Sequence, residues 1–277
     1  MLFMLSLAFP FVNGLQNIFL YRSLHTEISY TDGFLITMAS TFANQLPISG
    51  GVVSKGFYLK RKYNLSYTKF ISSTIALFVC FIAVNGVMGI SILLYWLLFE
   101  KVTVPFILWI LYIMMAGGLS VFWLPLDRIK MSEKVRHWIS QTTEGWMIIS
   151  RNPGLLFKII SLQVILMILL ASRYSLAFQM LSQNVSMAQT LFFASASILT
   201  QLVSIAPGGL GVREAIVSAV ASALGFDPGV SVVAVGLDRL VSTVSIFLLG
   251  GLSTIILGRQ ISQIPIKAEE QEVESVR

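Results

Sequence analysis

PGGLGVREA, Pro207 to Ala215, follows directly on the apolar run TLFFASASILTQLVSIA. A proline, three glycines and an arginine–glutamate pair have no place on a lipid-facing helix. Pro207, Gly208 and Gly209 end the preceding helix. A new helix starts from Gly211, with Ala215, Ala219 and Ala223 stacked at four-residue spacing for close packing. The stretch therefore reads as a broken helix with a charged pair, Arg213 and Glu214, at the break. Non-helical backbone at membrane depth is tolerated only inside protein or beside a wet cavity. A helix N-terminus at such a place presents unpaired N–H groups and the positive end of a dipole, which suits a phosphate or carboxylate. The plainer alternative is a tight inter-helix turn whose charges serve topology or packing.

Composition sets the class. Of 277 residues, 56% are hydrophobic and only 12% charged, about half the charge of a soluble chain. Several apolar runs reach the ~20 residues needed to cross a bilayer. The chain is predicted to be an all-α polytopic membrane bundle. Its net charge of +6 is read through the distribution of Lys and Arg over loops, which bears on topology and not on nucleic acid. Cys80 is the single cysteine, and His25 and His137 lie far apart, so no disulfide within the chain, metal site or other cofactor is expected. No H-E-x-x-H, G-x-S-x-G or P-loop occurs, and no catalytic residue is nominated. Leu2 opens an apolar run with no basic residue before Arg22, unlike a secretory signal.

Two regions share an order of events. A span ends near Arg22, a polar link contains Ser29, a short apolar stretch at 33–46 meets Pro47, and ISGGVVSKG starts a second helix carrying Lys55. In the same order come Arg173, Ser186, the apolar stretch, the break at Pro207 and the helix from Gly211. Ser49 is the expected N-cap of the first of these new helices. Paired interrupted helices in two halves point to a transporter-like binding site. Spans are expected at 2–20, 70–98, 104–124, 155–178 and 230–257. Within 127–152, Met131, Val135, Trp138, Ile139, Trp146 and Ile149 share a helical face, which suggests an amphipathic helix on the membrane surface or one packed on the protein.

The basic clusters Lys60–Lys62 and Arg128–Arg151 are assigned to the cytoplasm and the uncharged link 179–187 to the outside. These assignments agree only if each broken segment dips in and returns to its own side, 33–64 from the cytoplasm and 187–228 from outside. The fold is thus expected to contain two inverted repeats, each with a Pro/Gly-broken re-entrant hairpin. The first repeat covers 1–126 with its break near 47–51, and the second 155–258 with its break near 207–211. A cytoplasmic amphipathic connection, 127–154, lies between them, and 259–277 forms a disordered tail.

Asp238 and Arg239 fall inside the last span, where charges face a cavity or a partner. Neighbouring helix residues diverge, so the two are not a self-contained pair. Arg239 is expected to turn toward the Pro207–Glu214 break, and Asp238 to pair with a cation such as Arg213 or Arg173. Arg173, read as near the end of its span, is also compatible with snorkelling to the interface. Asn44, Gln45 and Gln201 are either cavity walls or partners for backbone freed at the breaks. Gly86, Gly89, Gly117, Gly118, Gly250 and Gly251 are candidates for helix contacts within or between chains.

LPISGGVVSKGFYL, APGGLGVREA and the final-span GLDRLVS resemble the integral-membrane, flippase-like domain of lysylphosphatidylglycerol synthases over nearly the whole chain. The resemblance implies a multi-pass protein of a bacterial or archaeal cell (inner) membrane that moves a lipid between leaflets. The soluble domain that transfers lysine lies beyond the matched region, so synthase activity is not carried over. It also implies one more span before the first, and an acidic–arginine pair where this chain reads TKFISSTIAL and only Lys69 is charged.

The expected function is a lipid flippase or transporter for an anionic-headgroup lipid. The expected headgroup site is Ser49, Gly50, Gly51 and Lys55 from one side and Pro207, Gly208, Gly209, Gly211, Arg213 and Glu214 from the other, with Arg173, Asp238 and Arg239. The partner is a membrane phospholipid or other anionic lipid, with no nucleic acid, and a homo-oligomer stays open. The alternatives are a membrane subunit of a lipid-modifying enzyme acting with a partner, or a non-transporting scaffold.

Overall fold

The structure, a computed structural model, describes residues 1–45, 50–101, 104–117, 145–200 and 211–263. Helices make up the regular structure of these residues, with no strand among them. Four are long and apolar enough to cross a membrane: α1 (Leu2–Ser23), α4 (Tyr67–Tyr95, continued by a π-turn at Trp96–Glu100), α6 (Pro153–Met180) and α9 (Pro228–Ser262). Shorter helices lie between them: α2 (Tyr30–Ala43), α3 (Gly51–Tyr63), α5 (Phe106–Gly117), α7 (Met187–Ala196) and α8 (Val212–Ala223). The protein is a multi-pass helical membrane protein. α9 continues past the expected boundary at 258, so the first residues of the expected tail are helical. The rest of that tail, and the predicted return span beyond Gly117, lie outside the described residues.

Local sequence starts most of these helices. Ser29, Ser66, Asn152, Ser186 and Asp227 each accept a hydrogen bond from the backbone N–H three residues on, which satisfies a donor that the first turn leaves free. Ser186 and Gln189 complete a reciprocal capping box. Pro153 and Pro228 occupy the first helical position, where the missing N–H costs nothing.

At the first break the structure corrects one expectation. The N-cap of α3 is Gly50, not Ser49, and it has no side-chain cap. Asn44 takes that role across the break: its Oδ1 accepts from the Gly51 N–H at 3.0 Å. A Cβ at Gly51 would overlap the Ser40 carbonyl and the Asn44 side chain, so glycine lets α3 start against the end of α2. Asn44 thus partners backbone freed at the break.

α1 packs on α6, α2 on α9, and α4 on α5 and α7, while α8 packs on α9. Two apolar clusters result. One joins the end of α4, α5 and α7 to the middle of α6, α8 and the start of α9, and includes Trp96 against Phe192. The other joins α1, α2, α3 and the first halves of α4 and α6. Trp146 and Ile149 belong to this second cluster, so the described end of the 127–152 segment packs on the protein. Gly145 brings it against the Ser72 carbonyl of α4. Asp32 ties α2 to α3, taking Lys62 at 2.6 Å and the Tyr63 hydroxyl. Burial first, then the Asp32 carboxylate, pushes Tyr63 up to about 12, which keeps it a donor.

Of the nominated glycines, three are contact points. A Cβ at Gly86 would overlap the backbone of Ala116, one at Gly89 the Tyr112 ring, and one at Gly250 the Phe42 side chain. Gly117 and Gly251 have open space instead. Gly86→Val is therefore expected to destabilise the α4–α5 pair by about 1–3 kcal/mol through overpacking. Gly251→Ala is expected to cost nothing. Thermal unfolding of the two purified variants in detergent measures the difference.

Candidate functional site

The site is assembled around Asp238, which is fully buried in α9. A bare carboxylate there would be prohibitively costly. Arg173 of α6 donates from Nε to Asp238 Oδ1 at 2.7 Å, and Arg213 of α8 approaches Oδ2 with Nη2 at 3.5 Å. Arg213 also donates from Nε to the Tyr174 hydroxyl at 2.8 Å, and that hydroxyl lies 2.6 Å from Ser197 Oγ at the end of α7. One carboxylate and one phenol thus connect four helices. Beside them Arg239 Nη1 donates to both oxygens of Glu214, at 2.8 and 3.1 Å. The adjacent pairs 213–214 on α8 and 238–239 on α9 exchange partners with opposite charge order.

Of the two places the sequence allowed Arg173, the structure shows the one beside Asp238. Arg173 is 4% exposed and does not snorkel, because α6 runs seven residues beyond it to Met180, about 10 Å of helix. Its pairing with Arg22 as a repeat equivalent also fails. Arg22 sits one residue from the end of α1 and donates to the Ile28 carbonyl. The Ala215, Ala219 and Ala223 stripe is exposed, and Val217, Ser218, Val220 and Ala221 face inward instead. Directing Arg213 toward Asp238 rotates α8 so that the residues one and two turns beyond it become the buried face.

The other nominated residues separate. Gly211 precedes α8 with φ +79°, a left-handed conformation that glycine adopts without strain. Lys55 is not beside Arg213; its Nζ donates to Asn17 Oδ1 of α1 at 2.7 Å and lies over the Tyr21 ring. Gly50 and Gly51 lie at the start of α3. Ser49, Pro207, Gly208, Gly209 and Gln201 fall outside the described residues.

Arg173 and Arg213 line a cavity of about 260 Å³ whose walls come from α1, α2, α4, α6, α7, α8 and α9. Asn13, Asn85, Gln163, Ser197 and Thr200 supply polar groups, among apolar residues such as Phe9, Met167 and Ile246. On one side a polar seam continues from it. Asn17 Nδ2 donates to the Asn13 carbonyl at 2.8 Å, and Asn17 in turn accepts from Lys55. Tyr174, Asn85 and Asn17 were not nominated from sequence. A polar side chain inside a long apolar run was the available signal for each.

A model of the family described as Lysylphosphatidylglycerol synthase TM region matches residues 1–250. The chain belongs to this family. The UPF0104 membrane protein PH1989 of Pyrococcus horikoshii is 36% identical over 75 residues, 27% of this chain and 22% of that protein. The match therefore spans only about a fifth of the relative's length. No solved structure matches the chain. Among the described residues, no group of three or more His, Cys, Asp or Glu is placed to hold a metal ion.

Within this family domain, Asp238→Asn is expected to cost about 3–5 kcal/mol, because it leaves two guanidinium groups without their carboxylate. Replacing the short pair together, as Arg173→Met with Asp238→Leu, is expected to cost less than Asp238→Asn alone. Melting of the purified proteins, followed by size-exclusion elution after heating, measures both.

Proposed function

We propose that this protein moves a lipid with an anionic headgroup between the two leaflets of its membrane. The carrying observation is the cavity, where two arginines share one buried carboxylate and leave one positive charge in excess. Membership of the lysylphosphatidylglycerol synthase family supports a role with lipids. The headgroup alone needs this polar enclosure, while the acyl chains stay in the bilayer. Arg213 and Arg173 attract the phosphate. Asp238 holds both guanidinium groups in position and moderates their pull, so that the ligand can leave again.

Two inverted repeats provide the means of opening to either side. Exchanging α1 with α6, α2 with α7 and α4 with α9 maps the α2–α9 contact onto the α7–α4 contact and leaves α1–α6 unchanged. Such exchange is expected of two halves related by a pseudo-two-fold axis. Ser29 and Ser186 cap α2 and α7 in the same way. Lys55 reaching α1 is the counterpart of Arg213 reaching α6. The Asn44–Gly51 bond supports a first hairpin that turns back on itself, and the second hairpin would enter from the opposite face.

Reconstituted proteoliposomes test the reading, with fluorescent anionic and zwitterionic phospholipids compared for wild type, Arg213→Ala and Arg239→Ala. Movement of the anionic lipid is expected to fall about tenfold or more in Arg213→Ala, which removes a charge-assisted contact. Arg239→Ala, whose guanidinium is held by Glu214, is expected to lose less. Equal rates in wild type and a well-folded Arg213→Ala would sink the assignment.

A further inference from the structure

A polar track leaves the cavity along α1 and α3. Asn13 lines the cavity. Asn17, one turn further along α1, donates to the Asn13 carbonyl and accepts from Lys55 of α3 at 2.7 Å. On α3, Lys55, Tyr58 and Lys62 fall at i, i+3 and i+7 and so share one face. That face carries the track about 10 Å past Lys55, to the last turn of the helix.

A knot of hydrogen bonds closes the track there. Gln260, in the last turn of α9, accepts through Oε1 from the Tyr58 hydroxyl at 2.6 Å and from Lys62 Nζ at 3.0 Å. Lys62 also donates to Asp32 of α2 at 2.6 Å and to the Tyr58 hydroxyl at 3.1 Å, so all three of its N–H groups are engaged. Tyr58 is buried, whereas the Lys62 side chain is 28% exposed. The knot lies where the interior meets water.

Its place in the bundle is set by charge. These contacts and short links gather the ends of α1, α3 and α9 with the starts of α2 and α4. Arg22, Lys60, Arg61, Lys62, Lys69 and Arg259 all lie at this end. At the opposite end, Lys101 is the one Lys or Arg among the described residues. An excess of cations of this kind marks the cytoplasmic side.

The contact is of a kind that can be released. α3 packs mainly on α2 and only lightly on α9, and the bonds to Gln260 are the polar tie between α3 and α9. Hydrogen bonds at a water boundary exchange for water at a small net cost, unlike the Arg173–Asp238 contact in the interior. Exchange of the two halves would set α8 against α4. Among the described residues no hydrogen bond or ion pair joins that pair, and the side chains of α8 bond to α6 and α9 instead. The tie therefore belongs to one side of the bundle.

We propose, building on the reading of the cavity as a transport site, that Tyr58, Lys62 and Gln260, held by Asp32, form a gate. With these bonds made, the cavity is shut off from the basic end of the bundle. When α3 parts from α9, the polar track opens there.

Accessibility tests the gate without any lipid having to move. Asn13→Cys reports the opening, in a chain whose single cysteine, the buried Cys80, is replaced by alanine. Sealed vesicles of known sidedness are treated with a membrane-impermeant anionic thiosulfonate, and labelling is timed by mass spectrometry. From the basic end, adding Gln260→Leu is expected to speed labelling about tenfold, since two hydrogen bonds are lost, and Tyr58→Phe about threefold. Gln260→Glu offers the same two donors a carboxylate and is expected to slow labelling about threefold. A variant that merely loosens the fold does not slow it. Labelling from the opposite side is expected to stay level or fall. Equal rates in the parent and Gln260→Leu, a rise from both sides alike, or a rate in Gln260→Glu that matches or exceeds the parent's overturns the gate. Gate-dependent labelling in a protein that moves no lipid in proteoliposomes would leave this inference standing and remove only the transport reading.

Discussion

A carboxylate with no access to water must be matched by positive charge, and Asp238 imposes that condition on the second half of this protein. Arg173 and Arg213 meet it from two different helices. Their positions then set others: Arg213 sets the rotation of α8, and through Tyr174 and Ser197 it sets the end of α7. In a bilayer, apolar side chains gain little by leaving lipid for protein, so helix association relies on close packing and polar contacts. Here the second half joins its polar contacts at one point, and glycines at Gly86, Gly89 and Gly250 allow close helix packing elsewhere.

That concentration links construction to chemistry. A symmetrical ion pair would be inert, but two guanidinium groups on one carboxylate leave positive charge available at the wall of a cavity. The Arg239–Glu214 pair, by contrast, is internally balanced and holds α8 to α9. The first half has a milder version, in which Lys55 meets the neutral amide of Asn17.

Four of the expected spans, the helix starts after the two Pro/Gly stretches and the charges within apolar helices were legible in the sequence because each violates or fulfils a one-dimensional rule: length, helix propensity or hydropathy. Directions were less legible. The alanine stripe of α8 suggested one buried face, but a single ionic contact at Arg213 outweighed several small-residue contacts and selected another. Arg173 was left between a partner for Asp238 and the membrane interface because its depth depends on where α6 ends, and Met180 lies beyond the expected end of the span. Asn85 stood out only as a polar residue inside an apolar run, and its place in the cavity wall follows only from three-dimensional surroundings. The polar caps show the opposite case, since Ser29, Ser186 and Asp227 act within four residues of their own chain.

The excess positive charge at Arg173 and Arg213 also has an electrical meaning. An enclosure bearing one net charge feels the membrane potential, about 2.3 kcal/mol per 100 mV if that charge crosses the full field. The same enclosure holding a monoanion is neutral and feels almost none. A cycle built on this cavity would therefore place its voltage dependence on the empty step rather than the loaded one. Membrane potential would then set how fast the protein resets, with little influence on how readily the headgroup crosses.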